Sequence, residues 1–257
     1  MKIRVLGAFG AEGLGQRPTS FLVNDRILID AGTVGGALTM PEQNRIEHAL
    51  ITHSHLDHVG GLAFLTETLA FTASEQPRRE PLTVASLEPV VEALQKGVFN
   101  NIAWPDFAQI PPEKPVMKYR TLVEDAEQRV GELWVTPVLV NHTVPTTGFI
   151  VHDGSTGFIF SGDTGPTEAL WKAARGTRGL RTAIVECAFP NRMLKLAELA
   201  GHMTPDRIRR ELDKLPDDMP VWIYHIKPQF YDEIAEELSH IDPARITILE
   251  QEKTYTL

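Results

Sequence analysis

Hydrophobic residues run through this chain in short stretches set apart by glycine, proline and polar pairs. Ile3 to Leu6, Ser20 to Val23 and Arg26 to Asp30 are too short for helices and rich in β-branched residues, so they read as strands. Asn24-Asp25 is a turn pair and predicts a hairpin between the second and third. Gly7 to Gly15, with glycines at 7, 10, 13 and 15, reads either as a flexible turn or as a loop whose N–H groups approach an anion. Its spacing matches neither the P-loop nor the dinucleotide fingerprint. Pro41 to His48 predicts a helix, Ala49-Leu50-Ile51 the end of a buried strand, and Leu62 to Ala70 another helix entered through a sharp turn at Gly60-Gly61. Residues 72–81 are polar and twice broken by proline, which predicts an exposed loop. Leu87 to Phe99 has a helical pattern, and residues 100–115, with Trp104, Phe107 and four prolines, read as a packed surface loop or a lid.

The second half is strand-rich at first: Met117–Val123, Glu132–Leu139, Thr147–Val151 and Gly157–Ser161. Helices over 167–174, 192–200, 205–215 and Gln229–Ser239 then alternate with strands at Thr182–Glu186, Pro220–Tyr224, Arg245–Glu250 and Thr254–Leu257. Pro166 suits the first turn of one helix, and Thr204 an N-cap with Pro205 behind it. Each half begins with strands and ends with helices. Two such halves facing each other make an α/β (α+β) fold, a four-layer αββα sandwich. With no linker rich in glycine or serine, residues 1–257 read as one domain.

Composition narrows the class. A length of 257 residues, 42% hydrophobic and 23% charged, suits a soluble globular protein with a large core. A formal charge of −9 argues against a broad non-specific nucleic-acid surface. The single cysteine, Cys187, forbids an internal disulfide and reads as a small buried apolar residue. No apolar run approaches the ~18 residues of a membrane span, and the N-terminus lacks a secretory leader pattern. A cytoplasmic protein without a membrane or disulfide partner is expected, and a homodimer is one assembly open to it.

Chemistry concentrates at residues 50–61, Leu-Ile-Thr-His-Ser-His-Leu-Asp-His-Val-Gly-Gly. His53, His55, Asp57 and His58 are the imidazole and carboxylate ligands that a hydrolytic zinc site prefers. Packed together without a cation they would be costly to desolvate. In an extended piece His53, His55 and Asp57 share one face, and a turn at Asp57-His58 could offer that pair to a second ion. His142, Asp163 and His225 each follow an apolar strand, so they would converge on the same rim. Asp30, ending a strand, caps a turn or orients a metal-ligating imidazole from behind.

The stretch His-Ser-His-Leu-Asp-His-Val-Gly-Gly resembles the signature of metallo-β-lactamase-fold hydrolases. Asp30, the cluster, His142, Asp163 and His225 fall in that family's order over most of the chain, and the family's αββα sandwich agrees with the layering. The resemblance implies two divalent ions, zinc foremost with manganese or iron as options. His53, His55 and His142 would bind one, Asp57, His58 and His225 the other, and Asp163 would bridge them. Asp57 then counts both as ligand and as catalytic carboxylate.

Three further stretches are similar to class II cyclic-nucleotide phosphodiesterases: Phe160-Ser-Gly-Asp-Thr-Gly-Pro, Glu186 through Gly201-His202-Met-Thr-Pro, and Tyr224-His-Ile-Lys-Pro. So is Leu56 within the cluster. Phe64-Leu65-Thr66-Glu67 departs from the Ser-Pro or Ser-Ala usual there, which bears on nucleotide specificity more than on chemistry. The implied reaction is hydrolysis of a 3′,5′-cyclic nucleotide, such as cyclic AMP or cyclic GMP, to the 5′-monophosphate. A metal-bridging hydroxide would attack in line. His202 is the implied general acid for the departing 3′ oxygen, with capping of a helix as its plainer reading. Glu186 would tune that imidazole or pair with an arginine, and Lys227 would meet the phosphate or stay solvated. Trp104, Phe107 or Phe189 could stack on a base or belong to the core. The rivals are a tRNase Z-like nuclease, a lactonase or thioesterase with an acyl pocket over 97–120, and a non-catalytic metal-binding module.

Overall fold

A computed structural model describes residues 1–72 and 80–257. Its first sheet holds β1 (Lys2–Gly7), β2 (Ser20–Val23), β3 (Ile27–Ala31), β4 (His48–Leu50), β5 (Leu82–Leu87) and β6 (Met117–Leu122) in chain order. The second sheet holds β7 (Gln128–Val130), β8 (Leu133–Val140), β9 (Thr146–His152), β10 (Gly157–Phe160), β11 (Leu180–Glu186), β12 (Val221–Tyr224) and β13 (Ile246–Ile248). The last strand, β14 (Thr254–Thr256), crosses back to pair antiparallel with β1. In both sheets an antiparallel meander runs into parallel strands: β3 to β6 in the first, β10 to β13 in the second.

Alternation of side chains sorts the core into layers. Val5, Phe21, Val23, Ile27 and Ile29 point between the sheets, where they meet Phe149, Val151, Phe158 and Phe160. Their neighbours Leu22, Leu28 and Ile51 point the other way, against α2 (Leu56–Thr72) and α3 (Glu88–Gly97), with α1 (Met40–Asn44) lying on α2. On the far side Ile150, Ile159, Ala183 and Val185 cover α4 (Ala169–Ala174), α6 (Pro205–Leu212) and α7 (Tyr231–Ser239). The order is therefore α, β, β, α, as the pattern predicts. Phe21, Phe149, Phe158 and Phe160 are fully buried, and each contributes about 1.5–3 kcal/mol of transfer free energy.

Several local expectations change. Asn24 and Asp25 do turn the β2–β3 hairpin, both with positive φ (48° and 60°), as a type I′ turn requires. The helix expected from Pro41 to His48 stops at Asn44, because His48 already pairs with Ile27 in β4. Helix α2 starts at Leu56 rather than Leu62, so Gly60-Gly61 lies inside it and makes no turn. A Cβ on Gly61 would stand 2.8 Å from both Ala31 O and Val34 N, so that glycine lets the helix seat on the β3 loop. Strands β5 and β7 were not foreseen. Pro166 precedes rather than opens α4, and α6 ends at Leu212. Thr204 stands at the cap position before Pro205, but its hydroxyl makes no capping bond. Phe107 is buried beneath the helices and Trp104 packs edge-on to Phe64 at 5.3 Å, while most of residues 100–115 is exposed. Phe99, Val116 and Met117 join the same core. The loop expected at 72–81 falls almost wholly outside the described residues. No described helix is long and apolar enough to cross a membrane.

Candidate metal centre

The carboxyl ends of the parallel strands meet along one rim, the usual place for a site in sheets of this kind. His53 and His55 lie just beyond β4, and Asp57 and His58 in the first turn of α2. His142 follows β8, Asp163 follows β10 and His225 follows β12. Folding gathers all seven. His53, His55 and His142 form one group whose donor atoms lie within 4.8 Å of one another, and Asp57, His58 and His225 form another. Asp163 stands between them, with Oδ1 3.3 Å from His58 Nε2 and Oδ2 3.0 Å from His225 Nε2 and 3.7 Å from His53 Nε2. Asp57 Oδ2 is 3.8 Å from His225 Nε2 and 4.0 Å from His58 Nε2.

Behind this ring sits another that fixes the imidazoles. His58 Nδ1 is 2.7 Å from Asp30 Oδ2, and Asp30 also accepts from the Thr52 N–H (2.8 Å) and hydroxyl (2.9 Å). His53 Nδ1 lies 3.0 Å from the Thr52 hydroxyl, His142 Nδ1 3.0 Å from Gly201 O, and His225 Nδ1 2.9 Å from Thr19 Oγ1. With every Nδ1 engaged from outside, the Nε2 lone pairs of these four imidazoles face inward. Asp30 thus stands behind the His58 imidazole. Asp30 and His225 both hold positive φ (55° and 65°), which is rare without glycine and concentrates at working sites. The glycine loop after β1 does contain a turn, closed by the Gly13 N–H to Gln16 O and the Gln16 N–H to Gly13 O at 3.0 Å each. A Cβ on Gly10 would stand 2.6 Å from His225 O and 2.8 Å from its Nε2, so Gly10 is there for close approach.

Electrostatics agree with a cation. Burial holds His53 well below the ordinary imidazole range and lowers His55 and His142, which keeps them neutral and able to ligate. Burial also opposes charge on His58, yet Asp163 and Asp30 outweigh it and lift that imidazole well above its usual range. For Asp163, burial is overcome by His225 and His58, which hold the carboxyl low. The two carboxylates therefore draw positive charge to this spot. His58 Nε2, His225 Nε2 and Asp163 Oδ1 are buried without a hydrogen-bond partner, for the close contacts among them lack hydrogen-bond geometry. Such atoms are costly unless something ligates them, and these point at one another as ligands of a shared cation would. Histidine nitrogen with carboxylate oxygen suits zinc, and also manganese or iron.

His202 completes the rim. Its Nδ1 is 2.7 Å from Glu186 Oε1 and 4.0 Å from Asp163 Oδ2, and its ring stacks at 5.5 Å from that of His225. Burial lowers its tendency to charge, but Glu186 and then Asp163 raise it above the ordinary range. Among the described residues Glu186 pairs with no arginine; it also accepts from the Thr164 and Met203 N–H groups. Phe189 packs edge-on against His202 at 5.6 Å, and Trp104 and Phe107 lie in the helix-side core. Lys227 is half-buried: its Nζ bonds Gly10 O at 2.9 Å and lies over the Phe189 ring. Cys187 is buried, and burial pushes its thiol well up, so it is inert. Thr52, Thr19 and the Gly201 carbonyl were missed from sequence. A hydroxyl immediately before a ligand, as in Thr52-His53, was the one available hint.

The model of the metallo-beta-lactamase superfamily matches residues 15–217. The chain is 27% identical over 213 residues to a probable 3′,5′-cyclic-nucleotide phosphodiesterase of Yersinia pestis, covering 72% of this chain but only 58% of that protein. It is 28% identical over 263 residues to the 3′,5′-cyclic-nucleotide phosphodiesterase of Aliivibrio fischeri, covering 81% of this chain and 76% of that one. The fold is similar to that of unliganded yeast PDE1, with a TM-score of 0.82 at 21% identity over 100% of this chain and 99% of the other.

Proposed function

The chain belongs to the metallo-beta-lactamase superfamily, and from that premise we propose that it is a metal-dependent phosphodiesterase that opens a 3′,5′-cyclic nucleotide to the 5′-monophosphate. The observation that carries this reading is the buried Glu186–His202 pair, 2.7 Å apart, beside Asp163 at the ligand cluster. A phosphodiester has a poor alkoxide leaving group and needs a proton donor; an acyl-lactone makes a weaker demand for one. The names of the two relatives support the same choice.

In this reading His53, His55 and His142 would hold one divalent ion and Asp57, His58 and His225 the other, with Asp163 between the two sets as a shared ligand. Bound there, the ions would supply Lewis acidity toward the phosphate oxygens and acidify water. The remaining work falls to the protein. Glu186 keeps His202 Nδ1 engaged and favours its charged form. Nε2 then delivers a proton to the 3′ oxygen as the P–O3′ bond breaks, and water's oxygen remains on phosphorus. Asp30, Thr52, Thr19 and the Gly201 carbonyl hold the imidazoles in place, so the site needs little reorganisation. Lys227 gives one N–H to Gly10 O and keeps two more for a phosphate. The same proposal sets the protein in the cytoplasm, which cell fractionation tests.

The test of the reaction is product analysis. Zinc- or manganese-loaded protein is offered cyclic AMP, cyclic GMP, a chromogenic phosphodiester, an acyl-lactone and a precursor tRNA. A 5′-monophosphate from a cyclic nucleotide is the expected product. Turnover of the lactone or the tRNA alone would overturn the proposal.

A further inference from the structure

Two clefts flank the ligand cluster. One, of about 450 Å³, opens at His142 beside Arg207 and Glu198. Its guanidinium is already engaged, with Arg207 Nη2 2.8 Å from Glu198 Oε1 and Nη1 3.1 Å from His202 O. The other, of about 620 Å³, opens at Asp57, between the loop after β3 and the first turns of α2. Leu56 and Phe64 form its outer wall, 73% and 58% exposed. Among the described residues its only charged lining groups are Glu12 and Asp57, both carboxylates. Glu12 has no cation or hydrogen-bond partner among the described residues. Missing side chains keep this cleft open: a Cβ on Gly60 would find its first neighbour only at 3.8 Å, and one on Gly35 at 3.9 Å.

These features select an occupant. The cleft has the volume of a small-molecule site and reaches the cluster through Asp57. Two carboxylates and no cation make it a poor seat for phosphate. An apolar wall ending in an exposed phenyl ring suits a flat aromatic face. A lone carboxylate suits an edge bearing adjacent N–H donors. Guanine has that edge, N1–H beside the 2-amino group, and both donors can meet one carboxylate. Adenine sets a ring-nitrogen acceptor beside its amino group, so one carboxylate oxygen would face a lone pair.

We propose that this cleft receives the nucleobase of the substrate, with the ring against Phe64 and the Glu12 carboxylate accepting from guanine, so that cyclic GMP is preferred to cyclic AMP. The inference rests on the phosphodiesterase reading above. Wild-type protein, Glu12→Gln and Gly60→Met are compared on both cyclic nucleotides. Wild type should show kcat/KM about tenfold or more higher for cyclic GMP, the worth of one good bidentate contact. Glu12→Gln should reduce that ratio to near one. Gly60→Met, a good helix former that fills the cleft, should raise KM for both nucleotides about tenfold while the circular-dichroism spectrum stays that of the wild type. Equal turnover of the two nucleotides by wild type, or a Gly60→Met variant with unaltered KM, overturns the assignment. Absence of cyclic-nucleotide turnover by wild type, with the chromogenic diester still cleaved, sinks the cyclic-nucleotide reading itself and this inference with it.

Discussion

Strands β3 and β10 hold the same place in their sheets: each is antiparallel to the strand before it and parallel to the strand after it. Each also leads to a buried aspartate, Asp30 in one and Asp163 in the other. The two carboxylates lie on opposite sides of one imidazole, Asp30 at Nδ1 of His58 (2.7 Å) and Asp163 at its Nε2 (3.3 Å). Asp30 is saturated by Thr52 and His58, whereas Asp163 keeps an oxygen without a hydrogen-bond partner. Equal topology therefore does not fix chemistry. What a strand-end aspartate does depends on whether its second oxygen is already spoken for.

The strongest way to break the comparison is to remove the front carboxylate. Asp163→Ala should lose at least one ion per chain by native mass spectrometry, and rate by a factor on the order of a thousand or more. Full occupancy in that variant would refute the bridging role. The next largest effect belongs to His202, which faces the cluster from the end of α5 (Leu194–Ala200). His202→Ala should keep both ions and slow cyclic-nucleotide hydrolysis on the order of a hundredfold. An unchanged rate would remove it from the reaction.

The halves also differ in how openly their sequences speak. The first half packs His53, His55, Asp57 and His58 beside one strand, so four ligands are visible at once. The second delivers His142, Asp163 and His225 singly from three strand ends, and each alone looks like any polar residue after a strand. The family resemblance, not spacing, joined them. The sandwich was legible because both sheets alternate residue by residue, as Phe158 and Phe160 inward with Ile159 outward show. Strand β5 was not, because all six of its residues are buried and no period survives. The start of α2 was misplaced because Gly60-Gly61 looks like a turn, while its reason is packing against the β3 loop. The hydroxyl of Thr19 left no signal because its partner His225 lies 206 residues on, and that of Thr52 left only its place before His53.

Removing the rear carboxylate should do less. Asp30→Asn leaves a group of the same shape that still accepts a hydrogen bond, so His58 stays near its place but loses the charge behind it. Affinity for the ion at Asp57, His58 and His225 should fall about 10- to 100-fold. Both sites should still fill at saturating metal. Because Asp30 contacts no ligand of the other group, the affinity at His53, His55 and His142 should hold. A competing-chelator titration that resolves the two steps checks this, and equal losses at both would contradict it.

Thr52 gives the smallest effect and the most discriminating pattern. Its hydroxyl lies 2.9 Å from Asp30 Oδ2 and 3.0 Å from His53 Nδ1, so it alone touches the supports of both groups. One hydroxyl proton cannot serve two acceptors, so it goes to Asp30 and the oxygen accepts from His53. Thr52→Val keeps the shape and keeps the backbone N–H bond to Asp30 Oδ1 at 2.8 Å. It leaves His53 Nδ1 without a partner and frees one side of Asp30. At about 1 kcal/mol for each lost hydrogen bond, affinity should drop about fivefold at each ion, together rather than one at a time. The same chelator titration distinguishes this from the one-sided loss expected of Asp30→Asn. If Thr52→Val weakened only one step, the hydroxyl would not link the two halves of the rim.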